Sequence, residues 1–365
     1  MNLLTNYKFF SLAFLSLILA YFFFSLIGCL ISISLLLISL LNIGRDNVYH
    51  SKSINLKHGI NKNQNSRLGG LIIIFFIILV SISNFDKILL EAEILEKSFT
   101  IISLFLIVLL GVYDDFTGGN ISFLKKFIFQ FVIIIILLFE NSDLIFSHTG
   151  FEFIDVLLTL PLVSYLITLL VIMCFVNACN IADGANGIIS GMALIAGYII
   201  FRETNNYTYF IIYNVIGSFF IINIFLGNIY LGDTGSYFVG FIFSIAGLYY
   251  YNQGIFTAGL LGCIFSYPCL EAMCSFFRRL ILKKNPLKAD NAHFHNLLYY
   301  YLSNKISSPH FANSLTGILI LVLFPFLGLA SYIYVDMEYV YFFWLVFLFQ
   351  IFFYFFAYFI FLKNK

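Results

Sequence analysis

Charge is what this chain has least of. Of 365 residues only 10% are charged, against about 25% in an ordinary soluble domain. A water-soluble fold of this length could not cover its surface with so few. Proline contributes 5 residues, and no low-complexity linker is present beyond the polar stretch Asn61 to Ser66. The six cysteines sit inside apolar runs rather than at framework spacings, which excludes a secreted disulfide scaffold. A net charge of +1 gives no sign of nucleic acid or of a bulk acidic partner. What is plentiful is apolar surface: 61% of the residues, with 47 Phe. That excludes disorder and leaves a polytopic, all-α integral membrane protein. No fixed-period repeat appears, so the chain reads as a single domain over residues 1–365.

A spanning helix needs about 20 apolar residues. Eleven runs are read as spans, several of them short at their apolar core, within bounds of ten to twelve: Phe9 to Leu41, Leu68 to Ile82, Phe99 to Tyr113, Phe127 to Phe139, Val156 to Val176, Gly187 to Phe201, Tyr209 to Leu231, Tyr237 to Tyr251, Ile255 to Phe277, Leu315 to Val335 and Val340 to Leu362. The first run is too long for a signal-peptide core and is expected to span. It is read as one helix, with two helices broken near Gly28 as the other option. Eleven spans place the termini on opposite faces. Of the 19 Lys and Arg, 15 then fall on the face that holds segments 43–67, 114–126, 177–187, 232–236, 278–314 and the C-terminal tail. The positive-inside rule makes that face cytoplasmic, with the N-terminus outside and the C-terminus inside.

Polar clusters interrupt the apolar background, all on that face. Gly111-Val112-Tyr113-Asp114-Asp115 ends the third run. Adjacent carboxylates repel unless a cation is near; the pair fits a divalent-metal or phosphate site, or a solvated helix end. In Asn177-Ala178-Cys179-Asn180-Ile181-Ala182-Asp183-Gly184-Ala185-Asn186-Gly187, three polar residues recur at intervals of three and would share one face of a helix. Buried amides and carboxylates at a membrane boundary are costly unless paired. Gly232-Asp233-Thr234-Gly235-Ser236 reads as a very short turn whose N–H groups are open to a phosphate or ribose. It lacks the spacing of a P-loop. The segment Arg278 to Asn296 carries Arg278, Arg279, Lys283, Lys284 and Lys288, then Asp290, His293 and His295. Its cations also fit the positive-inside signal or lipid headgroups. A zinc site there lacks a third ligand at the right spacing. Lys57 and Arg67 close the first cytoplasmic segment, and Lys126 and Gln130 lie one turn apart. Glu271 sits inside the ninth run, either as a functional carboxylate or as an acid paired with Arg278 or Arg279.

In this order the clusters resemble the polyprenyl-phosphate N-acetylhexosamine-1-phosphate transferases, the WecA/MraY-type bacterial membrane enzymes of glycosyltransferase family 4. The resemblance runs from Lys57 to Asn296. It rests on Arg67, Gly69 and Gly70; Asp114 and Asp115; Asn177, Asn180, Asp183, Gly184 and Gly187; Gly232, Asp233, Gly235 and Ser236; and His293 and His295. Two positions depart from it: Asn186 stands where some members have Asp, and Asn296 replaces a third His. The loop is more like that of the branch that starts O-antigen and other surface glycans than that of the phospho-MurNAc-pentapeptide branch.

The resemblance implies transfer of a sugar-1-phosphate from a UDP-N-acetylhexosamine to undecaprenyl phosphate in the bacterial cytoplasmic membrane, with release of UMP. It implies Mg²⁺, or Mn²⁺ in its place, held by Asp114 and Asp233. Asp115 would orient the lipid phosphate or take its proton. Asn180, Asp183 and Asn186 would contact the nucleotide or metal. Lys126, Arg278, Arg279, His293 and His295 would hold phosphates, and Lys57, Arg67, Asn177 and Ser236 would bind substrate. Expected partners are the two substrates, the bilayer and, as an option, a second copy of the chain; nucleic acid is not among them. A transporter or flippase of a lipid-linked anionic sugar is the main rival. Transporters place their polar groups near mid-membrane, whereas these clusters lie at helix ends on one face.

Overall fold

The computed structural model describes residues 14–19, 28, 31–34, 67–84, 97–118, 121–149, 152–227, 229–286 and 290–363. All regular elements among them are helical. They are α1 (Gly69–Ser83), α2 (Ser98–Phe116), α3 (Phe123–Glu140), α4 (Glu152–Leu158), α5 (Pro161–Ala182), α6 (Ile188–Thr204), α7 (Tyr207–Leu226), α8 (Gly232–Asn252), α9 (Ala258–Ile281), α10 (Phe294–Ser303), α11 (Pro309–Leu323), α12 (Pro325–Tyr334) and α13 (Val340–Lys363). Among the described residues six segments are long and apolar enough to cross a bilayer: α2, α5, α7, α9, the α11–α12 pair and α13. The apolar runs after the first each coincide with a helix or a helix pair. The first run, residues 9–41, lies largely outside the described residues, as does Lys57.

Helix α8 is the axis of the bundle. It packs on α5, α2 and α1, and 18 of its 21 residues are buried. Such a helix must be apolar or small all round, and its sequence alternates Phe and Ile with Gly235, Gly240 and Gly247. At Gly240 a methyl group would meet Val176 Cα at 2.8 Å, so α5 lies directly against the α8 backbone there. The outer helices show the reverse pattern. Phe352, Phe356 and Phe359 on α13 are more than half exposed, a face that only lipid can cover at low cost.

The paired helices α11 and α12 are divided at Phe324-Pro325. Proline offers no N–H and disfavours helical backbone before it. At the break the Phe324 carbonyl accepts from the Gly328 N–H at 3.3 Å and also from the buried Gln350 Nε2 of α13 at 2.8 Å. Gln350 thus answers the requirement that backbone polar groups in a membrane be satisfied internally.

The segments read from the sequence as cytoplasmic loops are largely helix termini. Asp114 and Asp115 belong to the last turns of α2, Asn177 and Asn180 to those of α5, and Lys126 to the first turn of α3. The stretch Gly232–Ser236, expected as a short turn, is instead the first turn of α8. Rigid helix ends, rather than loops, position the polar residues.

Candidate active site at the helix ends

The site is built where the ends of α2, α3, α5 and α8 meet. Gly111 makes the closest approach possible: a Cβ there would lie 2.6 Å from Thr234 Cα. One turn on, Asp115 accepts the Asp233 N–H on Oδ1 at 2.9 Å. Its Oδ2 accepts the Thr234 N–H at 2.8 Å and the Thr234 hydroxyl at 2.7 Å. A carboxylate is favoured at a helix N-terminus, where N–H groups lack intrahelical partners. Asp115 therefore caps α8 from a neighbouring helix and fixes where Asp233 stands. Gly111→Ala is expected to lower the melting temperature of the purified protein, corresponding to about 1–3 kcal/mol for an overpacked contact. An unchanged melting curve would contradict this close packing.

Asp114 is fully buried, and its Oδ2 contacts the Lys126 ammonium. Lys126 also lies 3.5 Å from Asp233 Oδ2. One cation thus sits between two carboxylates, and Asp114 Oδ1 is left buried without a partner. Asn180 donates to Asp233 Oδ1 at 2.9 Å and to Ser236 Oγ at 3.0 Å. Asn177 donates to Gln130 Oε1 at 2.6 Å, joining α5 to α3. Arg67, Asn180, Asp183, Asn186, Gly232 and Asp233 line a cavity beside this cluster. Burial pushes the Asp183 carboxyl up to about 8; the nearby Asp233 and Asp115 charges act in the same direction and Arg67 opposes them. The backbone of the Arg67 segment is pinned to the α8 entry by Gly69 N–H to Tyr230 O at 3.0 Å and Gly70 N–H to Leu231 O at 2.8 Å.

Asn186 lines the cavity, but its side chain is committed elsewhere. It donates to Ser314 Oγ at 3.1 Å and accepts from Asn313 Nδ2 at 3.2 Å. Its backbone N–H donates to Asn313 Oδ1 at 3.1 Å. It fastens the Asp183–Gly187 segment to α11.

The end of α9 and the start of α10 meet the site from another direction. Arg278 donates to Asp290 Oδ1 at 2.7 Å and to Ala292 O at 2.5 Å; Arg279 donates to Asp290 Oδ2 at 3.2 Å. Burial alone would raise the Asp290 carboxyl, but Arg279 and Arg278 outweigh it and hold it well below the usual carboxylate range. Both guanidiniums thus build the loop, and neither lines the cavity. His295 reaches further, with its Nε2 against Gly184, where any Cβ would collide. Glu271 pairs with neither arginine, contrary to that reading of the sequence. It lies 2.9 Å from His293 Nδ1. Gln130, Thr234, Asn313 and Ser314 are partners that the motif spacing did not single out as site residues.

Among the described residues no three His, Cys, Asp or Glu side chains converge as a ready-made metal cage. The buried, unpartnered Asp114 Oδ1 facing a second carboxylate nevertheless fits a hard divalent cation. Such an ion takes oxygen ligands and completes its shell with water and substrate phosphate.

Residues 98–251 match the family described as glycosyl transferase family 4. The matched stretch contains Asp114, Asp115, Lys126, the Asn177–Gly187 segment, Asp233 and Ser236. The chain is 30% identical over 165 residues to an undecaprenyl-phosphate alpha-N-acetylglucosaminyl 1-phosphate transferase of Thermotoga maritima, covering 45% of this chain and 51% of the relative. It is 28% identical over 218 residues to a probable undecaprenyl-phosphate N-acetylglucosaminyl 1-phosphate transferase of Bacillus subtilis, covering 56% and 58%. The chain thus spans a little over half the length of the curated relatives it matches.

Proposed function

From the match of residues 98–251 to glycosyl transferase family 4, we propose that this protein transfers an N-acetylhexosamine 1-phosphate from a UDP-sugar to undecaprenyl phosphate. The observation that carries this reading is the Asp114–Lys126–Asp233 cluster at the helix ends, whose Asp233 lines a cavity together with Arg67 and Asp183. The names of the two relatives support the same acceptor lipid and the same transferred group.

An oxygen of the lipid phosphate forms a bond to the phosphorus that carries the sugar. The bond from that phosphorus to the bridging oxygen breaks, and its electron pair leaves with UMP. A phosphate monoester has a second pKa near ~6, so much of the acceptor is already dianionic at neutral pH and no strong base is needed. Bringing two anions together does require positive charge. Lys126 supplies one cation between Asp114 and Asp233, and Arg67 stands at the cavity wall. Mg²⁺, with Mn²⁺ as substitute, would be held by Asp114 and Asp233 and would neutralise charge on the phosphates. Asp115 positions Asp233 through the α8 N-terminus. Asn180 orients the Asp233 carboxylate, and Asp183 faces the nucleotide side of the cavity. His295 contributes from the first turn of α10. For the chain as a whole, the partition of Lys and Arg supports eleven spans with this end of the bundle at the cytoplasmic face of the bacterial inner membrane. The product starts a lipid-linked surface glycan such as O-antigen.

The test uses purified protein, Mg²⁺, undecaprenyl phosphate and a panel of UDP-N-acetylhexosamines. UMP release that requires both lipid and metal is the expected outcome. No turnover with any donor, together with translocation of lipid-linked sugar in vesicles, would replace this reading with a transporter.

A further inference from the structure

Glu271 is a carboxylate with no exposed surface, in the middle of α9. A charge so placed is costly unless every lone pair is used. Its partners are unusually many. Oε2 accepts from Phe294 N–H at 2.9 Å, Tyr354 OH at 3.1 Å and Tyr267 OH at 3.4 Å. Oε1 meets His293 Nδ1 at 2.9 Å and accepts from Ser275 Oγ at 3.2 Å. Tyr267 OH in turn lies 3.0 Å from His295 Nδ1. The two imidazoles stack with centroids 5.3 Å apart and planes within 5°. One carboxylate therefore reaches both histidines, one directly and one through a tyrosine, and His295 abuts the Gly184 backbone at the cavity.

We infer that Glu271 is a positioning residue for the His293–His295 pair, fixing the ring orientation and the proton location of His293 so that the pair meets the donor's phosphates. An ionised carboxylate only accepts, so His293 carries its proton on Nδ1; its Nε2 points away from Glu271 and lies 3.9 Å from Asp290 Oδ1. A carboxylate that orients an imidazole in this way sets which nitrogen does the outward work.

The inference rests on the proposed transfer reaction for its kinetic test but not for its spectroscopic one. Glu271→Gln preserves shape. Its amide oxygen will take the side with three donors, and its NH₂ will face His293. His293 must then accept at Nδ1 and move its proton to Nε2. The ¹⁵N spectrum of histidine-labelled protein should show that change, with His293→Gln assigning the signal among six histidines. The KM for the UDP-sugar should rise on the order of tenfold, the scale typical of lost outer partners that orient a binding imidazole. The KM for the lipid should stay constant, and the double variant should be no worse than His293→Gln alone. Tyr354→Phe removes only the contact to α13 and should lower thermal stability without moving the histidine signal.

Proton location and donor KM both unchanged in Glu271→Gln would overturn the inference, as would effects of the two variants that simply multiply. If Glu271→Gln does not fold, Tyr267→Phe decides by the same donor KM, and no change there overturns it. Wild-type protein that releases no UMP would sink the transfer reading, and the proton location in Glu271→Gln would still settle the role of Glu271.

Discussion

Asp233→Asn will give a folded protein whose UMP release is reduced on the order of 10²–10³-fold or more, the loss expected when one preorganised charge at a reacting phosphate is removed. The substitution is nearly isosteric. Asn180 Nδ2 still finds the side-chain oxygen it now meets at 2.9 Å. The Asp233 and Thr234 N–H groups still donate to Asp115. Loss of one acidic group from the first turn of α8 costs about 0.3–1 kcal/mol through the helix dipole, so the melting temperature should barely move. What disappears is the negative charge opposite Asp114 and Lys126. A second readout separates charge loss from mispositioning. Mg²⁺ should raise the melting temperature of the wild-type protein, because a ligand that binds only the folded state stabilises it, and should fail to do so for Asp233→Asn. Retained turnover, or an intact Mg²⁺ shift, would remove Asp233 from the metal site.

The residues of that site were legible because a membrane protein can keep so few charges. Asp114, Lys126, Asn180 and Asp233 each interrupt an apolar run, and the structure brings all four together. Their partners carried no comparable signal. The sequence puts Gln130 one turn from Lys126, but only the fold shows it against Asn177. Asn313 and Ser314 lie more than a hundred residues from Asn186, with no spacing to link them. Residue type also misleads about direction. Arg278 and Arg279 look like phosphate ligands until Asp290 is seen between them. Asp115 looks like a twin of Asp114, yet one caps a helix and the other faces a cation. A period of 3.6 residues says which face a side chain occupies. It does not say whether that face meets substrate or another helix, because that depends on crossings such as Gly111 on Thr234 that only assembly determines.

Lys126→Met separates what holds the site together from what drives the chemistry. The Lys126 side chain is only 9% exposed, and Asp114 beside it is fully buried. Removing the cation leaves a buried carboxylate without a counter-charge, a loss of about 3–5 kcal/mol when one partner of a buried pair is deleted. The melting temperature should fall markedly and turnover should vanish. Adding Asp114→Asn to Lys126→Met removes the stranded charge, and well-packed neutral replacements of buried ion pairs are often as stable as the originals. The double variant should therefore recover most of the lost stability while remaining inactive, because neither the cation for the phosphates nor the Asp114 carboxylate returns. The Asp114→Asn single variant completes the cycle, and contacting residues should show a coupling on the order of 0.5–3 kcal/mol. Additive effects on stability would mean that Lys126 and Asp114 do not form the ion pair on which the site is built. Recovered turnover in the double variant would mean that this pair serves the fold alone, and the anionic substrates would then have to be held by Arg67 and the histidine pair.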